Sequence, residues 1–399
     1  MKNPSPAELQ ALRSRAQKIG ASLPPLSFSS GGHLTPESRA AVLRCAQRIF
    51  TQNRTVGGAL VLALPGGLSE SFHFGYARLA PKMSVSEKTC FRIASVSKLV
   101  MSFAALSLEA GGMLDLDCDI SEYLGYPVRS PYIKDIPITL RMLLTHTSRI
   151  TDDGPYGTRG MQMDCTLREL LENPKSWLPC APGTAFHYSN LGAGAAGVIM
   201  ELATGMPFDD LMKAIVFDPL SIRASYDPRR IKPTDDLADG YSVRGILPPR
   251  LKYDAARLAA RPPEPFDPER DYLIAAGRMI TDTNGMAQLL RLLASHDGMG
   301  VLPAASLDSM RSCQDGIGSV ISAGRGLNTA FLPNVFDGFA PVGHQGVAYG
   351  MCAELFADPV RDCGVGVMTS GVRLVQQKPM MRVGFDLLAL GFAVIGKCG

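Results

Sequence analysis

Residues 91–112 read Phe-Arg-Ile-Ala-Ser-Val-Ser-Lys-Leu-Val-Met-Ser-Phe-Ala-Ala-Leu-Ser-Leu-Glu-Ala-Gly-Gly. From Ser97 to Ala110 the spacing of Leu, Ala and Met is helical, and Gly111-Gly112 ends the helix. Ser95 falls at or just before the helix start. Lys98 follows one turn later on the same face. A serine hydroxyl is a poor nucleophile until a base takes its proton. A lysine can be that base where burial or a neighbouring charge disfavours its ammonium form. The surroundings are apolar: Ile93, Ala94, Val96, Leu99, Val100 and Met101. Amides at a helix start also favour developing negative charge. The pair alone is a weak signal, because a serine with lysine three places on is expected about once by chance in a chain of this size. A capping serine beside a surface lysine is its simpler reading.

Two more segments bear on Ser95. Gly183-Thr-Ala-Phe-His-Tyr188-Ser189-Asn190 precedes the small-residue run Leu191-Gly-Ala-Gly-Ala-Ala-Gly. In an extended segment Tyr188 and Asn190 share a face. A phenol beside a cationic lysine can act as a base, and an asparagine amide can bond both a substrate carbonyl and the lysine. A strand-end aromatic with a helix-capping asparagine is the alternative. The third segment is Val342-Gly-His344-Gln345-Gly346-Val347. Glycine in a strand edge allows close approach of a substrate chain. A turn glycine beside a half-buried histidine is the alternative there.

Outward from these segments, residues 6–18 read as a short helix and 22–32 as a linker rich in Pro, Ser and Gly. Thr35 caps a helix that runs to about Gln52, with Pro36 in its first turn. Gly58 to Leu64 is a buried strand, Pro65-Gly66-Gly67 a turn, and Ser71 to Arg78 an antiparallel neighbour. Helices are expected at 139–145, 190–204 and 282–295. The stretch 225–270, rich in Pro, Arg and Asp, reads as a long excursion or lid. Strands return at 339–344, 347–356 and 363–370, and a buried helix closes the chain at 380–395. The order implies an α+β fold. An antiparallel sheet is drawn from about 35–95 and 300–399, with a mostly helical region at about 96–299 inserted and a cleft between. Residues 1–34 stand apart as an N-terminal helix and linker, and 35–399 as the catalytic domain.

Hydrophobic residues make up 46% of the 399 and charged residues 19%, with a net charge of +3, which suits a packed core rather than disorder. Acidic and basic residues are mixed, so no nucleic-acid footprint is expected. Glu8, Gln10, Arg13 and Arg15 interrupt the N-terminal region, so no export signal is visible. The apolar stretch Leu387 to Ile395 is too short for a membrane span. Nine cysteines lack a C-x-x-C pair, and the six histidines lack a zinc-ligand spacing. Reduced thiols, a cytoplasmic location and no metal or cofactor are the expectation.

Together and in this order, the three segments resemble one family: the serine β-lactamases and penicillin-binding proteins, in particular the class C β-lactamase, D-aminopeptidase and family VIII esterase branch. The S-x-x-K motif falls on Ser95 and Lys98, Y-x-N on Tyr188 and Asn190, and the K-T-G or H-x-G motif on His344 and Gly346. Leu143-Leu-Thr-His-Thr-Ser148, Ala181-Pro-Gly-Thr184 and Ala275-Ala-Gly-Arg-Met-Ile-Thr281 resemble further family segments. The likeness runs from about Ala40 to Leu390. It implies that Ser95 forms an acyl-enzyme and that Lys98 and Tyr188 share the proton transfers. It implies that Asn190 orients substrate and lysine, His344 lines the pocket, and the N–H groups of Ser95 and Val347 form an oxyanion hole.

Two departures narrow the expectation. His344 stands where lactamases carry lysine, which points away from carboxylate-bearing β-lactams and toward neutral esters. Arg149 and Arg278 stand where relatives carry glycine. Each is expected to be solvated, as exposed arginine is the norm, with a charge near the pocket as the alternative. His146 and His187 are taken as structural. The function expected is a serine hydrolase of small carboxylic esters, a carboxylesterase or acyltransferase. Two alternatives stay open: a D-amino-acid peptidase, amidase or weak β-lactamase, and a non-catalytic binding or assembly protein. The partner expected is a small ester or amide, and the oligomeric state is not legible.

Overall fold

The computed structural model describes residues 6–158, 165–244, 247–263, 265, 267–312, 326–332, 335–373, 376–377 and 380–398. Cys313 lies outside them. Strand β1 (Gly57–Leu64) is buried along its whole length. Its alternate residues serve two different cores: Ala59, Val61 and Ala63 face one cluster, and Leu60, Leu62 and Leu64 the other. A strand exposes its two faces with period two, so apolar residues on both faces call for helices on both sides of the sheet. The other strands are β2 (Leu68–Leu79), β3 (Lys82–Ser84), β4 (Ala330–Phe331), β5 (Val342–Ala348), β6 (Met351–Asp358) and β7 (Cys363–Ser370). They run antiparallel in the order β3-β2-β1-β7-β6-β5-β4. Gly57 of β1 stands opposite Ser370 of β7. The sheet therefore joins both chain ends, as the α+β reading expects.

The longer helices are α1 (Pro6–Ala21), α2 (Pro36–Gln52), α3 (Val96–Ala110), α4 (Asn190–Thr204), α5 (Thr283–Ala294) and α6 (Arg382–Ile395). Among the described residues, no single helix is long and apolar enough to cross a membrane. Helices α1, α2 and α6 cover one face of the sheet, with Leu12, Val42 and Leu388 in a single cluster with Leu60 and Val365. Asp386 of α6 is 2% exposed and takes two hydrogen bonds from Arg15 of α1, Nε at 2.6 Å and Nη2 at 2.7 Å. On the other face, Gly366 of β7 lets α5 come close. A Cβ there would lie 2.4 Å from Met286 Cγ. Gly197 of α4 plays the same part beneath the 274–277 turn, where a Cβ would lie 2.5 Å from Ala275 Cβ.

Two expectations change. The break between the strands expected at 339–344 and 347–356 falls instead at Tyr349-Gly350, with φ of 53° and 80°. Both residues are left-handed, which suits the two-residue hairpin between β5 and β6. Gly346 is therefore inside a strand. The 225–270 stretch is not a free lid. Gly240–Val243 and Arg250–Tyr253 pair in a hairpin, and Val372–Arg373, just past β7, adds to it in parallel.

Candidate active site

Ser95 lies where α3, α4, the 274–277 turn and β5 meet. Ala94, at φ 48°, bends the chain from the short strand Phe91–Arg92 into α3. A non-glycine residue in the left-handed region is strained, and such strain clusters at functional sites. Ser95 sits at the N-cap position, yet its side chain makes no cap hydrogen bond. Lys98 is fully buried. The pairing of a capping serine with a surface lysine is thus not what the structure contains.

Lys98 Nζ lies 3.2 Å from Ser95 Oγ and 2.9 Å from Asn190 Oδ1, and it also bonds the Ala276 carbonyl. Two of these partners are pure acceptors. A neutral amine here spends its two N–H groups on Asn190 and Ala276, which leaves its lone pair facing the serine hydroxyl. The arrangement can move a proton from Ser95 Oγ to Lys98 Nζ.

Tyr188 and Asn190 do not share one extended segment. Ser189 is the N-cap of α4, its Oγ accepting from Gly192 N, and Asn190 is the first helical residue. They still converge on Lys98, whose Nζ lies 5.1 Å from the Tyr188 ring centre. His146 packs on that ring at 4.4 Å, and His344 stands 6.3 Å away on β5. His146 Nδ1 accepts from Ser189 N, and His187 contacts Thr151 Oγ1 at 3.1 Å. Desolvation holds the His187 imidazole below its usual range, and Arg149 adds to the effect.

His344 is buried, with Nδ1 2.5 Å from the Gln345 carbonyl. A Cβ at Gly346 would lie 2.2 Å from Ile93 O and 2.9 Å from Ser95 N. Glycine is required there because the strand presses against the turn that carries Ser95. The Val347 side chain packs into the core shared with α6, leaving only its backbone to serve the cleft. β4 pairs with β5 only at Val342 and Gly343. Among the described residues, the outer edge of 344–348 has no strand partner.

Of the two arginines of the departures, Arg149 is not the solvated side chain expected. Arg149 is buried at φ 69°, with Nε donating to Cys180 Sγ at 3.0 Å and Nη1 to the Ala185 carbonyl at 2.8 Å. It braces the loop that leads into Tyr188. Arg278 is half-buried, 3.9 Å from Asp271.

Sequence reasoning passed over two residues. Arg92 stacks on Tyr349 and Tyr253, at 4.8 and 5.4 Å, and donates Nε to the Gly277 carbonyl at 2.7 Å. It thereby fixes the turn whose Ala276 carbonyl meets Lys98. Asp152 bonds Ser189, Asn190 and Leu191. Its only sequence signal is a place four residues past the L-L-T-H-T-S stretch. Among the described residues, no cluster of His, Cys, Asp and Glu is arranged to hold a metal ion.

A family model described as Beta-lactamase matches residues 43–383. The chain is 29% identical to Esterase EstB of Burkholderia gladioli, over 81% of this chain and 86% of the esterase. It is 26% identical to Penicillin-binding protein 4 of Amycolatopsis lactamdurans, over 80% and 82%. In three dimensions it resembles D-amino acid amidase from Ochrobactrum anthropi SV3. The TM-score is 0.69 at 21% identity, over 89% of this chain and 98% of the amidase.

Proposed function

The chain belongs to the beta-lactamase family and is a serine hydrolase, and from that premise we propose that it cleaves small carboxylic esters through an acyl-enzyme on Ser95. Ser95 Oγ attacks the ester carbonyl carbon while its proton passes to Lys98 Nζ. The tetrahedral intermediate collapses, the C–O bond to the alcohol breaks, and the proton returns to the leaving oxygen with Tyr188 sharing the transfer. Water then attacks the acyl-enzyme by the reverse path and releases the acid. Ser95 and Val347 offer backbone N–H groups to the oxyanion, each such donor being worth about 3–4 kcal/mol in the transition state. Asn190, His344 and Gly346 border the substrate.

The observation that carries this reading is the buried Lys98 amine, whose only hydroxyl partner among the described residues is Ser95. The preference for esters is supported by His344, which puts no permanent charge where a substrate carboxylate would be held. The similarity to Esterase EstB supports it too. Ser95→Ala is expected to abolish both p-nitrophenyl butyrate hydrolysis and fluorophosphonate labelling. Unchanged turnover in that variant sinks the reading.

Amide cleavage is the second reading, since the same acyl-enzyme serves an amide and a D-amino acid amidase shares the fold. A side-by-side screen of short esters, D-amino-acid amides and nitrocefin separates the two. Faster turnover of the amides favours the second.

A further inference from the structure

Asp152 lies in the loop that runs from the 145–151 segment toward α4. Its Oδ1 accepts from Ser189 Oγ at 2.9 Å and Leu191 N at 3.1 Å. Its Oδ2 accepts from Asn190 N at 2.9 Å and Asn190 Nδ2 at 2.8 Å. Four bonds use the full accepting capacity of a carboxylate. Two of them, to Ser189 and Leu191, are ordinary support for a helix start. The bond to Nδ2 is different, because it acts on a side chain rather than on the helix.

An amide has an oxygen end and a nitrogen end of nearly equal shape, and its neighbours decide which way it faces. A carboxylate only accepts. Asn190 must therefore turn Nδ2 toward Asp152, and this leaves Oδ1 for Lys98, at 2.9 Å. The reversed amide would set two oxygens against each other and present an NH2 group to Lys98. That NH2 would compete for the lysine lone pair, and an N–H rather than the lone pair would then face Ser95.

We infer that Asp152 is a positioning residue: by fixing the direction of the Asn190 amide, it points the Lys98 lone pair at Ser95 Oγ. The inference rests on the acyl-enzyme reading above. It assigns Asp152 no contact with substrate.

The test is a double-mutant cycle read as the rate of Ser95 labelling by a fluorophosphonate. Asp152→Asn keeps the size of the side chain but replaces one of the two acceptor oxygens with a donor, so the carboxylate no longer fixes the Asn190 amide. It is expected to slow labelling about 10- to 100-fold, in line with the cost of a small misplacement near the chemistry. In an Asn190→Ala background, the same change is expected to cost less than about twofold, since the amide it acts through is gone. Ser189→Ala removes cap contacts without touching the amide, and is expected to lower thermal stability while keeping the rate within about twofold of wild type. Should Asp152→Asn fail to fold, Asp152→Glu keeps the charge but displaces it from the amide, and the same cycle applies.

Three results overturn the inference: wild-type labelling in Asp152→Asn, losses that multiply across the cycle, or an equal loss in Ser189→Ala. Failure of the underlying reading looks different, because labelling would then survive in Ser95→Ala.

Discussion

Lys98 Nζ and Ser95 Oγ stand 3.2 Å apart, one helical turn from each other, and the lysine has no contact with solvent. Lys98→Met keeps the apolar stem and removes the amine. General-base catalysis is typically worth about 10²- to 10⁴-fold, so kcat for p-nitrophenyl butyrate should fall by about 10³-fold. Asn190 Oδ1 and Ala276 O lose a donor, so the melting temperature should fall by a few degrees. A loss of activity below tenfold would show that Lys98 is not the base.

Gly346→Ala forces a methyl group against Ile93 O and Ser95 N. Neither neighbour is a flexible side chain, so the strand or the Ser95 turn must shift. The expected cost is about 1–3 kcal/mol in urea unfolding. The hydrolysis rate should drop with it, because the Ser95 amide moves. A stable, fully active variant would mean that the two segments are looser than the packing implies.

Glu354 on β6 is fully buried against α6, and its Oε1 takes a hydrogen bond from Gln345 Nε2 at 2.7 Å. Among the described residues, its Oε2 has no hydrogen-bond partner. Desolvation pushes its carboxyl well above the usual carboxylate range. The folded state therefore holds a proton that the unfolded chain releases above its ordinary carboxylate pKa. Stability from this group is complete below that point and is lost as pH rises toward the folded value, at about 1.4 kcal/mol per pH unit. Glu354→Gln should match wild type near pH 4 and exceed it near pH 8 in chemical denaturation. Parallel stability curves for the two proteins across that range would refute the assignment.

Arg15→Ala leaves Asp386 buried, with Arg382 at 3.8 Å its one remaining ion-pair partner among the described residues. Breaking a fully buried pair costs about 3–5 kcal/mol. Arg15 is partly exposed, so the expected loss is smaller, about 2–3 kcal/mol. Activity measured well below the melting temperature should stay near wild type, because α1 and α6 lie on the sheet face away from Ser95. A loss below 0.5 kcal/mol in denaturant unfolding, an order-of-magnitude bound for exposed pairs, would show that the contact carries nothing.

The parts legible in the sequence are those governed by local spacing. The apolar run over Gly58–Leu64, the helix after Ser95 and the apolar run of 387–395 are each set by neighbours within a few residues. What was not legible depends on partners far along the chain. Gly346 reads as a strand-edge glycine open to a substrate chain, and that Ile93 and the Ser95 turn press against it shows only in the fold. Arg149 reads as solvated until Cys180 and the Ala185 carbonyl close around it. Asp152 carries no pattern of its own, and its importance appears only when α4 places Asn190 beside it. The hairpin in 225–270 is likewise fixed by Val372–Arg373, more than a hundred residues downstream.

The pairing of β1 with β7 also has a consequence in time. A chain leaves the ribosome from its N-terminus at about 5–20 residues per second, so the stretch between Ser95 and Gly346 takes roughly 10–50 s to synthesise. Throughout that interval β1 has no β7 to pair with, and Ser95 has no strand at its back. The proposed nucleophile is translated early and positioned late. On the proposed mechanism, a nascent chain with this topology lacks the β5 backbone beside Ser95 until its final strands have emerged.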